Sequence, residues 1–422
     1  MSATPVLADA SGFDALNNPS AAFIQEMRRR FPTERETDEL LVRKLQRRSG
    51  PPYRRATTAE LSACLDKMLC EKIDGKFEVS GQTWFTGGVS KIQMGFALRW
   101  TDPVRGSVQD RLVVRMDPSE SSNTTSRVRE YELLNAFAGV VPVPRVFWLD
   151  PDGRWFPEPA LIYAYVPGVT KPRNTSTGKV SGLGTVFGPQ LRELLAPQFL
   201  QHLAAIHTLD VSNHDFKSLE WPELGSTQCA LWQLNRARRI WEEDRGEDFA
   251  LMEVAANWLE RNLPLLDRAS VVHGDYRSGN FLFDESSGHI NAWLDWERGH
   301  IGDRHRDLAW TTQPAMGHAS EDGKTTYVCG LIALNEFYQR YEDASGLRVD
   351  PDRLAYYQIL NCYQILVSAV ATAYRVARLG KSHQDVMLTR VKGIAPAVAH
   401  DLARLLKERV LWTSPTTACA LP

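Results

Sequence analysis

The chain has no long hydrophobic run, no closely spaced cysteine pair and no marked excess of charge of one sign. No apolar stretch approaches the roughly eighteen residues that a membrane-spanning helix needs, so we expect no membrane partner. The six cysteines are scattered without a CxxC pair, which argues against a zinc site and a disulfide framework and indicates reduced thiols in the cytoplasm. Because the net charge is only −2, composition does not predict nucleic-acid binding.

Internal repeats and low-complexity segments are also absent. Residues 1–18 have neither a basic start nor an apolar core, so we expect no secretory signal there. What the chain has is ordinary globular composition, 43% hydrophobic and 24% charged, over 422 residues. That length is enough for two lobes with sizeable cores. The sequence leaves the oligomeric state open, a dimer included.

The most informative stretch is residues 271–284, followed by residues 292–297. Short apolar runs bounded by Gly, Ser and Asn predict strands on either side of a polar loop. The side chains of Asp275, Asn280 and Asp295 then follow strand ends that meet at one place. A carboxamide with carboxylates is a donor set that suits Mg²⁺, which takes few protein ligands and keeps phosphates and waters as the rest.

This pattern predicts phosphoryl transfer. Asp275 would accept the proton of an attacking hydroxyl, while Asn280 and Asp295 would hold Mg²⁺ against the phosphates of ATP. Arg277, inside the loop, would contact the phosphate or the acceptor. Taken singly, each residue is better explained by a turn that Asn280 caps, but the spacing, the strand context and the later Gly-Asp and Asp-Leu-Ala-Trp segments together favour the site.

The chain contains the motif His-Gly-Asp, followed after four residues by Asn and later by Asp-Trp-Glu and Gly-Asp. This motif resembles that of the aminoglycoside phosphotransferase family, also called the choline-kinase-like or phosphotransferase-enzyme family. Within it, the chain is most similar to kinase domains associated with acyl-CoA dehydrogenases, over about residues 80–400. The resemblance implies an α+β, bilobal protein-kinase-like fold with a small antiparallel-sheet N-lobe and a mainly helical C-lobe. It implies ATP, with GTP left open, and Mg²⁺. It also implies that Asp307 holds the backbone of the catalytic loop and that His207 packs.

We predict an extension at residues 1–75, a nucleotide-binding N-lobe at 76–166, a C-lobe at 167–412 and a tail at 413–422. Capping boxes at Thr33 with Glu36 and at Thr57 with Glu60 predict two helices in the extension. Its many arginines and lysines are interpreted as a solvated face. The alternative is contact with an anionic ligand or a partner subunit.

The predicted N-lobe contains a Gly-rich turn between two strands, with Gly87, Gly88 and Ser90. Glycines let backbone amides approach phosphate oxygens closely, as a nucleotide-covering hairpin requires. The next strand carries Arg115 where kinases place a lysine, and arginine can bind phosphate bidentately. Glu130, in the following helix, is its predicted partner.

A hinge between the lobes is predicted where an apolar strand is broken by Pro-Gly. Backbone groups from Ala164 to Val166 would meet the adenine edge. Glu297 and Asp303 are predicted to add outer contacts to metal or substrate, and His273 to anchor the loop.

The residues alone leave three interpretations of the function open. The first is a kinase acting on a small-molecule hydroxyl, an antibiotic included. The second is a non-catalytic, kinase-shaped binding module, favoured by Arg115 in place of lysine. The third is a metal-dependent hydrolase that uses His273 and nearby aspartates, which is weakened by the lack of a ligand-like histidine pair.

Overall fold

The computed structural model describes residues 15–51, 54, 56–85, 91–118, 125–173, 184–320, 322–380 and 392–412. The helices α1 (Ala21–Arg30), α2 (Arg35–Arg47) and α3 (Thr58–Lys72) precede the first strand. The predicted capping box of α3 is confirmed, because the Thr57 side chain accepts from the Glu60 N–H and the Glu60 carboxylate accepts from the Thr57 N–H. The predicted cap at Thr33 and Glu36 is wrong, since α2 begins at Arg35 with Glu34 as its N-cap residue.

A five-stranded antiparallel sheet forms the first lobe. Its strands are β1 (Glu78–Trp84), β2 (Ile92–Asp102), β3 (Gly106–Met116), β4 (Val146–Asp150) and β5 (Ala160–Ala164), in the order β1-β2-β3-β5-β4. Helix α4 (Arg127–Phe137) lies between β3 and β4 in the chain. Met94, Phe96 and Leu98 alternate along β2 and are buried in one core with Leu61 and Leu65 of α3. Helix α3 of the extension is therefore part of this lobe's core.

The second lobe is mainly helical. Its helices are α5 (Pro189–Thr208), α6 (Gln228–Asp244), α7 (Ala250–Arg261), α8 (His305–Thr311), α9 (Leu334–Ser345), α10 (Pro351–Leu366), α11 (Ala373–Leu379) and α12 (Ala395–Trp412). A π-helical segment, Val367–Thr372, joins α10 to α11. Among these helices lie two two-stranded ribbons: β6 (Ser270–Val272) with β9 (His300–Gly302), and β7 (Phe281–Phe283) with β8 (Ile290–Trp293). The ribbons carry the loops of the predicted site.

From the sequence we also predict helices over residues 327–341 and 386–406, and the first of these predictions is wrong in its first part. Residues Thr326–Val328 and Ile332–Ala333 form antiparallel strands, and the helix begins only at Leu334. Between the strands, Cys329 and Gly330 both have positive φ, and a Cβ on Gly330 would lie 2.0 Å from the Thr185 carbonyl oxygen. This close approach fixes a turn where helical periodicity alone predicted a helix. The helix predicted over 386–406 is observed from Ala395, and residues 381–391 lie outside the described part of the chain.

Lys44 of α2 and Arg48, which caps the C-terminus of that helix, are turned inward rather than toward solvent, so the solvated-face interpretation is wrong for them. Arg48 donates to the Asp244 carboxylate at 2.6 Å, and both side chains are 0% exposed. Lys44 lies 3.2 Å and Arg375 3.0 Å from the same carboxylate. Burial alone would raise the pKa of Asp244, but Arg375, Lys44 and Arg48 lower it well below its usual range. Asp244 thus fastens the extension to α6 and α11.

Replacing Asp244 by Asn is expected to lower the free energy of unfolding by about 3–5 kcal/mol, because three buried cations lose their common counter-ion. Urea unfolding at pH 7 measures the loss, with Asp248→Asn as the control, because the Asp248 side chain is 64% exposed. The stabilisation by Asp244 is complete above its unfolded pKa, about 3.9, and is lost as pH falls from there toward the lower folded pKa. Equal unfolding midpoints for both variants at pH 7 would contradict the assignment.

Candidate active site

A buried carboxylate holds the backbone of the loop that runs from His273 to Asn280. Asp307 of α8 accepts the N–H of His273 at 2.6 Å and of Gly274 at 2.8 Å. His207 lies 3.3 Å from the same carboxylate through Nε2. Gly274 has φ 80°, and a Cβ there would lie 2.7 Å from the Arg298 carbonyl oxygen, so only glycine fits. The expected contact of Asp307 with the loop backbone is therefore present.

His273 anchors the loop. Its Nδ1 accepts the N–H of Asp275 at 3.3 Å, so the proton resides on Nε2, which donates to the Leu294 carbonyl at 3.1 Å. Burial lowers the pKa of His273, so the ring is neutral near pH 7. Both ring nitrogens are used in holding the backbone.

The Asp275 carboxylate is held by three donors at the edge of this loop. Trp310 Nε1 donates to Oδ1 at 2.7 Å and Arg277 Nε to the same oxygen at 3.0 Å. The Asn280 amide donates through Nδ2 to Oδ2 at 2.8 Å and to the Asp275 main-chain oxygen at 2.8 Å. The side chain of Asp275 remains 17% exposed. A fixed and accessible carboxylate can orient a hydroxyl group of a ligand.

Asn280 and Asp295 are brought together by strand pairing. Phe281 of β7 faces Trp293 of β8, and the Leu294 N–H donates to the Asn280 carbonyl at 2.8 Å. Asp295 follows with a left-handed backbone, φ 62°, and a side chain that is 34% exposed. Because the Asn280 amide contacts Asp275 through Nδ2, its Oδ1 is not used in that contact and can serve as a cation ligand. The residues therefore fit Mg²⁺ with one carboxamide and one carboxylate.

No three His, Cys, Asp or Glu side chains converge as a metal cage anywhere in the described part of the chain. His300 and His305 lie elsewhere, the first on the Arg298 carbonyl at 3.1 Å and the second on Asp303 at 2.7 Å. Asp303 also lies 3.7 Å from Arg353. It belongs to that buried group, and no hydrogen bond or ion pair within the described residues joins its side chain to the loop that carries Asp275, so its predicted outer role finds no support.

Arg115 lies at the centre of a buried ion cluster that joins the lobes. Its Nε is 3.3 Å from Glu130, and its terminal nitrogen donates to Asp295 at 2.6 Å and to Glu297 at 2.7 Å. Burial alone would lower the pKa of Arg115, but the three carboxylates raise it well above its usual value. The predicted partnership of Arg115 with Glu130 is thus present as a contact, and Asp295 and Glu297 are additional partners.

Two members of this cluster were missed by sequence reasoning. Lys91 Nζ lies 2.8 Å from Asp117 and 3.5 Å from Glu297, and Arg127 donates to Glu297 at 3.1 Å. Lys91, Arg115 and Arg127 lower the pKa of Glu297 far below its usual range, although burial alone would raise it. The one signal was the position of Lys91, directly after the predicted Gly-rich turn. Glu297 therefore joins the second lobe to cations of the first, and its predicted outer contact to metal or substrate stays a prediction.

The remaining predicted nucleotide contacts are only partly described. Gly87, Gly88 and Ser90 lie outside the described residues. At the hinge, the Ala164 N–H already donates to the Arg145 carbonyl at 2.8 Å, which leaves the Ala164 carbonyl for a base. Within the described chain, no hydrogen bond involves the Val166 N–H. That group can reach a base edge.

If Arg115 and Glu130 act as a unit, their effects on catalysis are not additive. We expect Arg115→Ala to lower kcat/KM for ATP on the order of 10², since displaced phosphates react slowly. Glu130→Ala should lower kcat more than affinity, and the double variant should cost clearly less than the sum of the singles. Arg115→Lys should keep partial activity.

A matched control is the exposed pair of Arg99 and Glu78, 3.0 Å apart on the same sheet. Alanine there should leave kcat/KM unchanged. Losses in the Arg115 cycle that add within about 0.5 kcal/mol would show that the two residues do not act as a pair.

Comparison with known proteins agrees with this geometry. The phosphotransferase enzyme family model matches residues 98–357, and the chain belongs to that family. Acyl-CoA dehydrogenase family member 10 of Mus musculus is 27% identical over 205 residues, 48% of this chain and 18% of that protein. Family member 11 of Pongo abelii is 30% identical over 209 residues, 47% of this chain and 26% of that protein. The chain thus spans about a quarter or less of these relatives' length.

Solved structures establish the fold. A Ralstonia eutropha protein assigned provisionally to the aminoglycoside phosphotransferases has a TM-score of 0.60 at 21% identity, covering 82% of this chain and 98% of that one. Plasmodium vivax ethanolamine kinase has a TM-score of 0.53 at 12% identity, covering 87% and 97%. The predicted α+β, bilobal kinase-like fold is confirmed. Among the helices described, none is both long and apolar enough to cross a membrane.

Proposed function

We propose that the chain transfers the γ-phosphate of ATP to a hydroxyl group of a small molecule, with Mg²⁺. The observation that carries this proposal is the Asp275 carboxylate, fixed by Trp310, Arg277 and Asn280 at an accessible position. A phosphotransferase needs such a carboxylate to orient the attacking hydroxyl. Membership of the phosphotransferase enzyme family supports the reaction type.

The chain's own residues would divide the work as follows. Asp275 orients the acceptor hydroxyl and takes its proton late, because little proton transfer is needed before a loose transition state forms. Three hydrogen bonds spread its negative charge, which suits orientation better than early proton abstraction. Arg277, bonded to Asp275, lies where it can contact the phosphate or the acceptor.

Asn280 and Asp295 would hold Mg²⁺, which when bound neutralises charge on the phosphates. Asp295 Oδ1 accepts from Arg115, so Oδ2 is the oxygen left for the cation. Arg115 therefore orients the metal ligand, and Glu130 and Glu297 orient Arg115. The backbone at Val166 would meet the base, and ATP or GTP would both satisfy that contact.

The test is a transfer assay with ATP labelled on the γ-phosphate and a panel of hydroxylated acceptors, with hydroxylated acyl compounds and antibiotics included. Transfer of label to an acceptor, dependent on Mg²⁺, is the expected result. A chain that binds Mg·ATP but labels none of the acceptors would instead be a kinase-shaped binding module. Metal-dependent hydrolysis of an ester with no use of ATP would indicate the hydrolase.

A further inference from the structure

Helix α8 contacts the loop that carries Asp275 at successive residues. Asp307 holds the backbone where the loop begins, and Thr311 donates through Oγ1 to the Tyr276 carbonyl at 2.7 Å. Between these two contacts, Trp310 donates through Nε1 to the Asp275 carboxylate at 2.7 Å. Helix positions that are three and four apart share one face, so α8 presents all three side chains to the loop. Trp310 is the one that contacts the proposed acceptor-orienting group.

The indole ring of Trp310 is held by groups that lie outside this loop. The guanidinium carbons of Arg298 and Arg306 lie 5.2 and 5.4 Å from the centre of the ring, within the distance at which a cation attracts an aromatic face. Arg306 is itself only 2% exposed and donates through Nη2 to Gln364 of α10 at 2.5 Å. Because Trp310 is also buried, its N–H is presented to Asp275 in one fixed direction.

The hydrogen bonds to Asp275 use its two carboxylate oxygens unequally. Oδ1 accepts from Trp310 Nε1 at 2.7 Å and from Arg277 Nε at 3.0 Å. Oδ2 accepts from Asn280 Nδ2 at 2.8 Å and, among the described residues, from no other donor. Each oxygen of a carboxylate has two lone-pair directions. Both directions of Oδ1 are therefore used, and one direction of Oδ2 is left for a ligand.

We propose that Trp310 is a positioning residue for phosphate transfer, which occupies Oδ1 of Asp275 and so directs the acceptor hydroxyl to Oδ2. The inference rests on the proposed phosphotransferase function. Oδ2 is the oxygen in contact with Asn280, the proposed ligand of Mg²⁺, so a hydroxyl bound there lies on the side of the carboxylate that the metal ligand occupies. A hydroxyl at Oδ1 would bind without being placed for transfer, and the rate depends on that placement.

The first experiment detects the contact without turnover. Indole N–H signals are recorded by nuclear magnetic resonance on protein that carries isotope-labelled tryptophan, and the signal missing from Trp310→Phe is that of Trp310. It should move upfield in Asp275→Ala, because a hydrogen bond to a charged oxygen is lost. The Trp100 indole, which donates to Asp110 at 2.9 Å in the other lobe, should not move. A Trp310 signal that does not respond to Asp275→Ala would overturn the inference.

The second experiment measures transfer of the γ-phosphate from Mg·ATP to the panel acceptor that the wild type labels fastest, with the acceptor concentration varied. Trp310→Phe should lower kcat on the order of tenfold, as loss of a hydrogen bond to a charged group predicts. The KM for the acceptor should not rise, because Oδ1 becomes a second place for the hydroxyl, and the affinity for Mg·ATP should stay within a few-fold. Looser packing alone would instead weaken the binding of both ligands.

Trp100→Phe is the matched control. It removes an indole donor from a carboxylate at a similarly buried position, 8% exposed against 6% for Trp310, and should leave all three values unchanged. An equal fall in kcat in Trp100→Phe would overturn the assignment to Trp310, as would a Trp310→Phe variant in which only the acceptor KM rises.

A second replacement separates the N–H from the ring. The benzothienyl analogue of tryptophan at position 310 has sulfur in place of the N–H, so it keeps the ring beside Arg298 and Arg306 and loses only the donor. The same fall in kcat is expected, and a wild-type kcat would overturn the inference. On an Asp275→Ala background, Trp310→Phe should cost less than about a further twofold, because the indole acts through the carboxylate. A second loss of full size would show that it acts elsewhere.

Failure of this inference and failure of the proposed function give different results. A wild type that labels an acceptor, with unchanged kcat in both Trp310 replacements, would refute the positioning role and leave the phosphotransferase function intact. A wild type that labels no acceptor would refute the phosphotransferase function and the positioning role with it, even where the Trp310 signal responds to Asp275→Ala. Thermal melting checks that both replacements fold.

Discussion

Asp275→Asn is expected to lower kcat by about 10² or more while the affinity for Mg·ATP stays within a few-fold. The carboxylate is held by Trp310, Arg277 and Asn280, none of which belongs to the Arg115 cluster, and so acts on the acceptor. Asparagine keeps an oxygen for Trp310 and Arg277 but presents an amide where Asp275 Oδ2 accepted from Asn280. The Asn280 Nδ2 also donates to the Asp275 main-chain oxygen, which resists a flip of that amide.

Asp275→Ala separates loss of the carboxylate from this local donor conflict. We expect the same fall in kcat and an unchanged Mg·ATP affinity, measured by phosphate transfer and by calorimetry. Asp284→Asn is the control, since Asp284 is exposed and caps the turn between β7 and β8. Wild-type turnover in either Asp275 variant would remove this residue from the mechanism.

Asp295→Ala is expected to abolish the Mg²⁺ dependence of ATP binding, with affinity in Mg²⁺ falling about 100-fold or more. Loss of an outer partner of a metal costs 10–100-fold, and loss of the ligand itself costs at least as much. Asp295→Asn should give a similar loss while keeping an oxygen for Arg115. The measurement is calorimetric titration with ATP, with and without Mg²⁺.

The fold should survive this change, because Arg115 retains Glu130 and Glu297 as partners. Thermal melting checks that point, and Glu285→Ala, on the β7–β8 hairpin, serves as the control. ATP that binds Asp295→Ala with the Mg²⁺ dependence of the wild type would show that the metal lies elsewhere.

Much of the site follows from short-range order in the sequence. The strands on either side of residues 284–289 are adjacent in the chain, so their pairing necessarily sets Asn280 beside Leu294 and hence near Asp295. The N-lobe strands and the capping box at Thr57 are local in the same sense. Hydrophobic periodicity and capping residues predict such contacts, because both partners lie within one element or in two successive elements of the chain.

Contacts between segments that are far apart in the chain cannot be predicted from local sequence patterns in this way. Arg115 reaches Asp295 across 180 positions and Arg48 reaches Asp244 across 196. Nothing in a local pattern tells that Lys91 and Arg127 share Glu297 with Arg115, or that the Ala164 N–H is used by Arg145. The hairpin at Cys329 was likewise fixed by the Thr185 backbone, which helical periodicity cannot report.

The sequence by itself therefore determined the family, the bilobal fold and the residues that line the loop, because spacing within adjacent strands places those side chains whatever the rest of the chain does. Only the tertiary structure decided which charges are buried together. An arginine in a basic segment is equally consistent with solvent, a ligand or a buried carboxylate, and the choice depends on which distant acid the fold brings to it. That choice placed Arg48 on Asp244 and left Arg298 beside Trp310 without an acidic partner in the described chain.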